Sequence, residues 1–323
     1  MSSPRILVVR LGAMGDVIHA LPAVATLKRG FPSAHVTWVI DPKWAVLVEG
    51  NPYVDELLVF DRRRWPSVRA AWQALRRDRF DVAVDFQGLI KSALIATVSG
   101  ARSRIGFHRT VAREPVASLF YNRAVKTICA HVVDQNLELA RAAGASQVCR
   151  DFPIPPGRAE GELPSGRFVL ACPLAGWESK QWPLEYYSEV ARALEEDGYR
   201  LVVNGAPSAR ETLCGIRGAH VHLSGIGGLI DATRRAAGVI GIDSGPLHLA
   251  AAVGQPGVAI FGPTDPARNG PYGGTVAVLR QPGLPVTYKR GSHVSESMRA
   301  IMPEAVVDAL RVRLASHAER SAG

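Results

Sequence analysis

The 323-residue chain is 47% hydrophobic and 21% charged, the balance of a folded protein with material for two cores of about 150 residues, which excludes a disordered or fibrous chain. No apolar run approaches the roughly 18 residues of a membrane-spanning helix. The net charge of +9 is lopsided: residues 1–155 carry 21 Lys and Arg against 13 Asp and Glu, and the rest carries 17 against 16. This predicts an anionic partner for the first half, whether nucleic acid, an acidic membrane surface or an acidic substrate.

The opening Met-Ser-Ser-Pro-Arg runs straight into an apolar segment, without the charged, apolar and small-residue regions of a signal peptide. Four widely spaced cysteines, Cys129, Cys149, Cys172 and Cys214, form no Cys-x-x-Cys pair. Both features predict a cytoplasmic chain with reduced thiols and no zinc site. Apolar runs at 5–10, 35–40, 57–60 and 81–86, rich in Val, Ile and Leu, predict buried parallel strands. Between them, Val17, Leu21, Val24 and Leu27 set helical spacing over 17–29, and 66–78 predicts a helix with a basic face. The Pro- and Gly-rich stretch FPIPPGRAEGELPSGR, residues 152–167, predicts a linker between a first domain, 1–155, and a second, 166–323. The alternation then restarts, with strands in RFVLACPLAG, YRLVVNGAP, GVIGID and PGVAIFGPT. Helices are expected near 183–197, 226–237 and 245–253, and a closing helix over about 303–317 behind Pro303. The whole predicts an α/β fold of two doubly wound, Rossmann-like domains facing a central cleft, with ligands held outside the carboxyl ends of the strands.

The first candidate site is Gly12-Ala13-Met14-Gly15-Asp16, after the first strand. Its spacing is neither Gly-x-Gly-x-x-Gly nor a P-loop, which disfavours a dehydrogenase or a phosphate-hydrolysing enzyme. Gly15 keeps the approach to Asp16 open, and Asp16 has two readings. It caps a helix beginning at Val17, or it is a general base at the strand's carboxyl edge. In the second half, Asp243-Ser244-Gly245 turns into a helix opened by Pro246, whose free N–H groups suit a diphosphate. His248 either faces that anion or is a buried helix histidine. FGPTDP, 261–266, is a second tight loop at the same edge, where Gly262 allows close approach of a ligand and Thr264 stands beside it. Lys180, in PLAGWESKQWP, is a solvated loop lysine or the ammonium that neutralises a leaving diphosphate. Arg62 to Arg64 follow a strand end and suit an acidic ligand, whereas the 69–79 arginines read mostly as a solvated helix face. With only 7% aromatic residues and no known motif, nucleic acid is disfavoured as a partner.

Taken in order, GDVIHALPAV, DFQGLIKSAL, AREPVASLFYN, SKQWP, DSGPLHLAAAVGQP and FGPTDP span about residues 5–310. Together they resemble the bacterial lipopolysaccharide heptosyltransferases of glycosyltransferase family 9, and most of all their heptosyltransferase I branch. The resemblance implies a GT-B fold and an inverting, metal-independent transfer of L-glycero-D-manno-heptose from ADP-heptose to the Kdo of Kdo-lipid A. It implies no cofactor beyond the donor, and a chain that sits peripherally at the inner face of the cytoplasmic membrane. By position, Asp16 is the expected base. Lys180, Asp243, Ser244, Gly245, His248, Gly262 and Thr264 fall on the donor side, and Gly15, Arg63, Arg64 and Arg113 on the acceptor side. The chain has Ala175-Gly176 where the branch typically has Thr-Thr, and Pro207 where it often has a ribose-binding Glu. The alternative readings are a related family member that transfers a different sugar or uses a different nucleotide donor, a nucleotide-sugar epimerase on the same fold, and a non-catalytic carbohydrate- or lipid A-binding protein.

Overall fold

The computed structural model describes residues 3–322, in two compact units that part between Pro155 and Pro156. In the first unit, β1 (Arg5–Val9), β2 (His35–Ile40), β3 (Glu56–Val59), β4 (Val82–Asp85), β5 (Ser103–Phe107) and β6 (Arg123–Val125) form one parallel sheet, ordered β3-β2-β1-β4-β5-β6. The helices α1 (Met14–Gly30), α2 (Trp65–Arg77) and α3 (Ile90–Val98) connect β1 to β2, β3 to β4 and β4 to β5, and α4 (Val132–Ala142) follows β6. Leu7 and Val9 of β1 and Val39 of β2 are fully buried, as strands covered on both faces must be.

The second unit repeats the plan. Strands β7 (Phe168–Ala171), β8 (Arg200–Gly205), β9 (His220–Leu223), β10 (Gly238–Ile242), β11 (Gly257–Phe261) and β12 (Val276–Arg280) run in the order β9-β8-β7-β10-β11-β12. Its helices are α5 (Leu184–Glu196), α6 (Arg210–Cys214), α7 (Ile226–Arg235), α8 (Gly245–Ala252), α9 (Pro266–Asn269), α10 (Glu296–Arg299) and α11 (Pro303–Ala322). Trp182, Tyr187, Ile242, Ile260 and Leu310 centre its core, where Trp182 Nε1 donates to Ile301 O at 2.9 Å. In each sheet the strand order reverses its sense between two parallel neighbours, β1 beside β4 and β7 beside β10, the switch point where such sheets leave a crevice.

Three local outcomes differ from the sequence-based expectation. First, α1 begins at Met14, not Val17, and its N-cap is Ala13, not Asp16. Secondly, β5, β6, β9 and β12 are strands that the sequence reading leaves out; β5, β6 and β9 lack an apolar run, β12 has a short one over 276–279, and three of these four are sheet edges, where one side of the strand is unpaired. Thirdly, the 152–167 stretch divides. Pro153 O accepts from Asn51 Nδ2 within the first unit. Past Pro155, the segment lies along the second unit: Arg158 N donates to Gly227 O, and Glu160 Oε2 accepts from Gly225 N at 2.6 Å.

Candidate active site

At the first switch point, β1 hands the chain to α1 through the four residues 10–13. Gly12 has no side chain because a Cβ there would lie 2.5 Å from Trp44 Nε1. Asp16 is the third residue of α1, and its Oδ2 accepts from the N-cap N–H of Ala13 at 3.2 Å. The same oxygen is 2.6 Å from Arg10 Nη2, at the end of β1. Arg10 is buried and tied down at three further points. Its Nη1 donates to Phe86 O beyond β4, its own carbonyl accepts from Trp38 Nε1 at 3.0 Å, and its N–H donates to Val39 O at 3.3 Å. Gln87 Oε1 accepts from Leu11 N at 2.9 Å. Asp16 is about one-third exposed, and its Oδ1 takes no hydrogen bond among the described residues. The geometry is a carboxylate braced through one oxygen with the other open. Gly15 is half-buried beside it, in the first turn of α1.

At the second switch point, three neighbouring strands deliver side chains to one buried carboxylate, Asp243, placed after β10. Lys180, beyond β7, approaches Asp243 Oδ2 to 2.5 Å, and Thr264 Oγ1, beyond β11, donates to that oxygen at 2.6 Å. Asn269 Nδ2, at the end of α9, donates to Oδ1 at 3.0 Å, and His248 Nε2 lies 3.9 Å from it. Asp243 is 6% exposed, so its charge is offset by these groups rather than by water. Ser244 occupies the N-cap position of α8 without capping it, and its buried Oγ has no hydrogen-bond partner among the described residues. Pro246 follows in the first turn, as expected from sequence. The Lys180 ammonium also lies 4.3 Å from the centre of the Trp177 ring, and the Arg290 guanidinium lies 5.5 Å from the same ring.

Several sequence-based expectations change here. The Thr264 hydroxyl proton is engaged by Asp243, so the residue acts through that carboxylate. His248 is a buried residue beside the carboxylate. Gly262 does not open onto free space: a Cβ there would come within 2.7 Å of Met298 Cγ and 2.8 Å of Ser297 Oγ, so its small size serves α10. Ala175 O accepts from Gln181 Nε2 at 3.0 Å, and Pro207 stands exposed beyond β8. Arg63 and Arg64 are exposed in the turn before α2, and Arg113 is exposed beside the β4–α3 turn, where a Cβ on Gly88 would lie 3.4 Å from its amide nitrogen.

Arg10 and Asn269 are absent from the sequence-based candidates. A signal for Arg10 exists, because a charge directly after a fully buried strand must find a partner; Asn269 offers none beyond lying five residues past Thr264. Neither Cys129 nor Cys172 is an activated thiol: the Glu138 carboxylate beside Cys129 lifts its thiol to about 11, and burial lifts that of Cys172 to about 12.

The family model for glycosyltransferase family 9 (heptosyltransferase) matches residues 68–292. Over 303 residues the chain is 30% identical to Lipopolysaccharide heptosyltransferase 1 of Escherichia coli (strain K12), covering 86% of this chain and 94% of that protein. Among solved structures it is similar to E. coli heptosyltransferase WaaC with ADP, with a TM-score of 0.76 and 26% identity over 96% of this chain and 99% of that one. It is likewise similar to WaaC with ADP-2-deoxy-2-fluoro heptose, with a TM-score of 0.74 and 27% identity over 95% and 99%. The chain therefore belongs to glycosyltransferase family 9, the heptosyltransferases, and is a glycosyltransferase of GT-B fold.

Proposed function

We propose that the protein transfers L-glycero-D-manno-heptose from ADP-heptose to the Kdo of Kdo-lipid A, in one inverting displacement without a metal ion. The observation that carries this reading is the Lys180–Asp243 centre beside the unpartnered Ser244 oxygen at the start of α8. A helix start with free N–H groups, an open hydroxyl and adjacent cations is chemistry for a diphosphate. The WaaC structures with ADP and with a fluorinated ADP-heptose support the same donor class. Lys180 and Asp243 neutralise one another, so the Arg290 guanidinium over Trp177 supplies the net positive charge for the leaving ADP.

In the reaction the acceptor hydroxyl oxygen bonds to the anomeric carbon while the bond from that carbon to the diphosphate oxygen breaks. ADP departs with the bonding electron pair, and the hydroxyl proton passes to Asp16 Oδ1. Arg10 and the Ala13 N–H hold Oδ2 and so aim Oδ1. General-base help of this kind is worth roughly 10²–10⁴ in rate. Arg63, Arg64 and Arg113 meet the acidic groups of the acceptor, in keeping with the basic excess of residues 1–155. No described helix is long and apolar enough to cross a membrane, and a lipid-linked acceptor then requires peripheral contact with the inner face of the cytoplasmic membrane.

The test is ADP release from ADP-heptose, with and without deacylated Kdo-lipid A, by the wild type and Asp16→Ala. Acceptor-dependent release that falls about a hundredfold or more in the variant, with ADP affinity kept, is expected. Release that needs no acceptor points instead to a hydrolase, conversion of ADP-heptose to an isomer with no net ADP released points to an epimerase, and an unaffected Asp16→Ala returns Asp16 to a purely structural place in α1.

A further inference from the structure

Helix α2 carries a feature that the transfer reaction does not use. Its residues Trp65, Arg69, Trp72 and Arg76 follow one another at spacings of four, three and four. At 100° per residue they fall within an arc of roughly 60°, a single stripe along the helix. The stripe faces water: Trp65 is 77% and Trp72 44% exposed, and both arginines are exposed. A different side packs, centred about 110° round the helix, with Ala71 and Leu75 buried. The Arg76 guanidinium lies 5.6 Å from the centre of the Trp72 ring, so the cation and the indole already share one surface. Helix α3, which packs against α2, adds exposed Ile90 and Leu94.

The charge around this stripe has one sign. Residues 62–79 hold seven arginines and a single acid, Asp78. Asp78 is itself held by Arg5 at 3.5 Å and Arg77 at 2.9 Å. Two large indoles kept in water beside unpaired guanidinium groups need an apolar and anionic counterpart. A bilayer surface offers both, with phosphates at the depth where tryptophan rings settle. A second copy of the same face would bring arginine against arginine.

We propose that the outward face of α2 docks on an anionic phospholipid surface, with Trp65 and Trp72 at the boundary of headgroups and acyl chains and Arg69 and Arg76 among the phosphates. The purpose of such a face rests on the lipid-linked acceptor proposed above, but docking itself is measured without donor or acceptor.

The experiment is vesicle binding by the full chain, with phosphatidylcholine vesicles and with vesicles also containing phosphatidylglycerol. The wild type is compared with Trp65→Ser/Trp72→Ser and Arg69→Gln/Arg76→Gln, all four sites being on the surface. Tighter binding to the anionic vesicles is expected, with a loss of about tenfold in each double variant. Fluorescence quenching by brominated lipid should be present in the wild type and missing from the tryptophan double variant. Turnover with the deacylated acceptor should stay within about twofold in both variants, because neither touches the transfer site. Variants that bind vesicles as tightly as the wild type would overturn the proposal. So would a wild-type dimer in vesicle-free solution that the tryptophan substitutions dissolve, since the face would then belong to a second copy. Absence of transfer to Kdo-lipid A with vesicle binding intact would fail the acceptor reading and leave the docking face standing.

Discussion

Arg10 and Asp16 show how a base is aimed by a residue that never meets the substrate. β1 ends and α1 begins only a few residues apart, so the first side chain past the strand reaches the first turn of the helix and braces one carboxylate oxygen. Arg10 is a positioning residue. Arg10→Met should lower kcat by about ten- to a hundredfold while leaving the affinity for ADP unchanged, because the donor-side groups lie elsewhere. Steady-state rates with an ADP titration check this, and an unchanged kcat would mean that Ala13 N–H alone orients Asp16. Asp16, Lys180 and Asp243 could be picked out from sequence because each lies between the carboxyl end of a strand and the first turn of the helix that follows. Arg10 and Asn269 could not, since the order of residues does not say which side chain turns back toward a neighbouring loop. Gly262 invites a reading as room for a ligand, but Met298, 36 residues further on, fills the space above it.

Secondary-structure elements were readable where the physics is local. Strands buried over nearly their whole length, such as β1, β2, β10 and β11, are mostly apolar, and Pro246 and Pro303 mark helix starts. The edge strands β6, β9 and β12 are held by one neighbour and carry polar or exposed residues, so tertiary pairing rather than composition makes them strands. A second non-local device fixes the turn after β4. Asp85 is buried and accepts from Gln87 N at 2.7 Å and Gly88 N at 3.3 Å, while Tyr121 Oη donates to its other oxygen at 2.7 Å. Gly106 in β5 leaves room for that phenol ring. Burial pushes the Asp85 carboxyl above its ordinary value, against the hydrogen bonds that pull it down. A group raised in this way contributes stability below its unfolded pKa and loses it as pH rises through the folded one. Tyr121→Phe keeps the ring and removes a donor to the carboxylate, which raises the group further. The loss should therefore be greater at pH 8 than at pH 5, reaching about 1.5–3 kcal/mol where the carboxylate is charged. Thermal melts at the two pH values test this, and equal losses would show that Asp85 does not ionise in the folded chain across that range.

At the scale of the whole chain, one topology is used twice with different chemistry at its switch point. In the first unit the β1/β4 end presents Asp16 and stands in a basic half of the chain; in the second, the β7/β10 end gathers Lys180, Asp243 and Ser244 in a nearly neutral half. The alternation of strands and helices made the duplication readable, but not the division of the Pro-rich stretch, whose second part is pinned by Glu160 to Gly225. Every residue assigned to the donor, from Lys180 to Arg290, lies after Pro156, together with a core of its own around Trp182, Tyr187 and Leu310. A fragment starting at Pro156 should therefore fold and bind ADP within about threefold of the full chain, since its core and every donor-side contact are internal to it. It should transfer nothing, because Asp16 is missing. Calorimetry with ADP reads the first expectation and acceptor-dependent ADP release the second. A fragment that folds but binds ADP tenfold more weakly would show that the first unit contributes to the donor site, and the basic half of the chain would then have a second anionic target besides the acceptor.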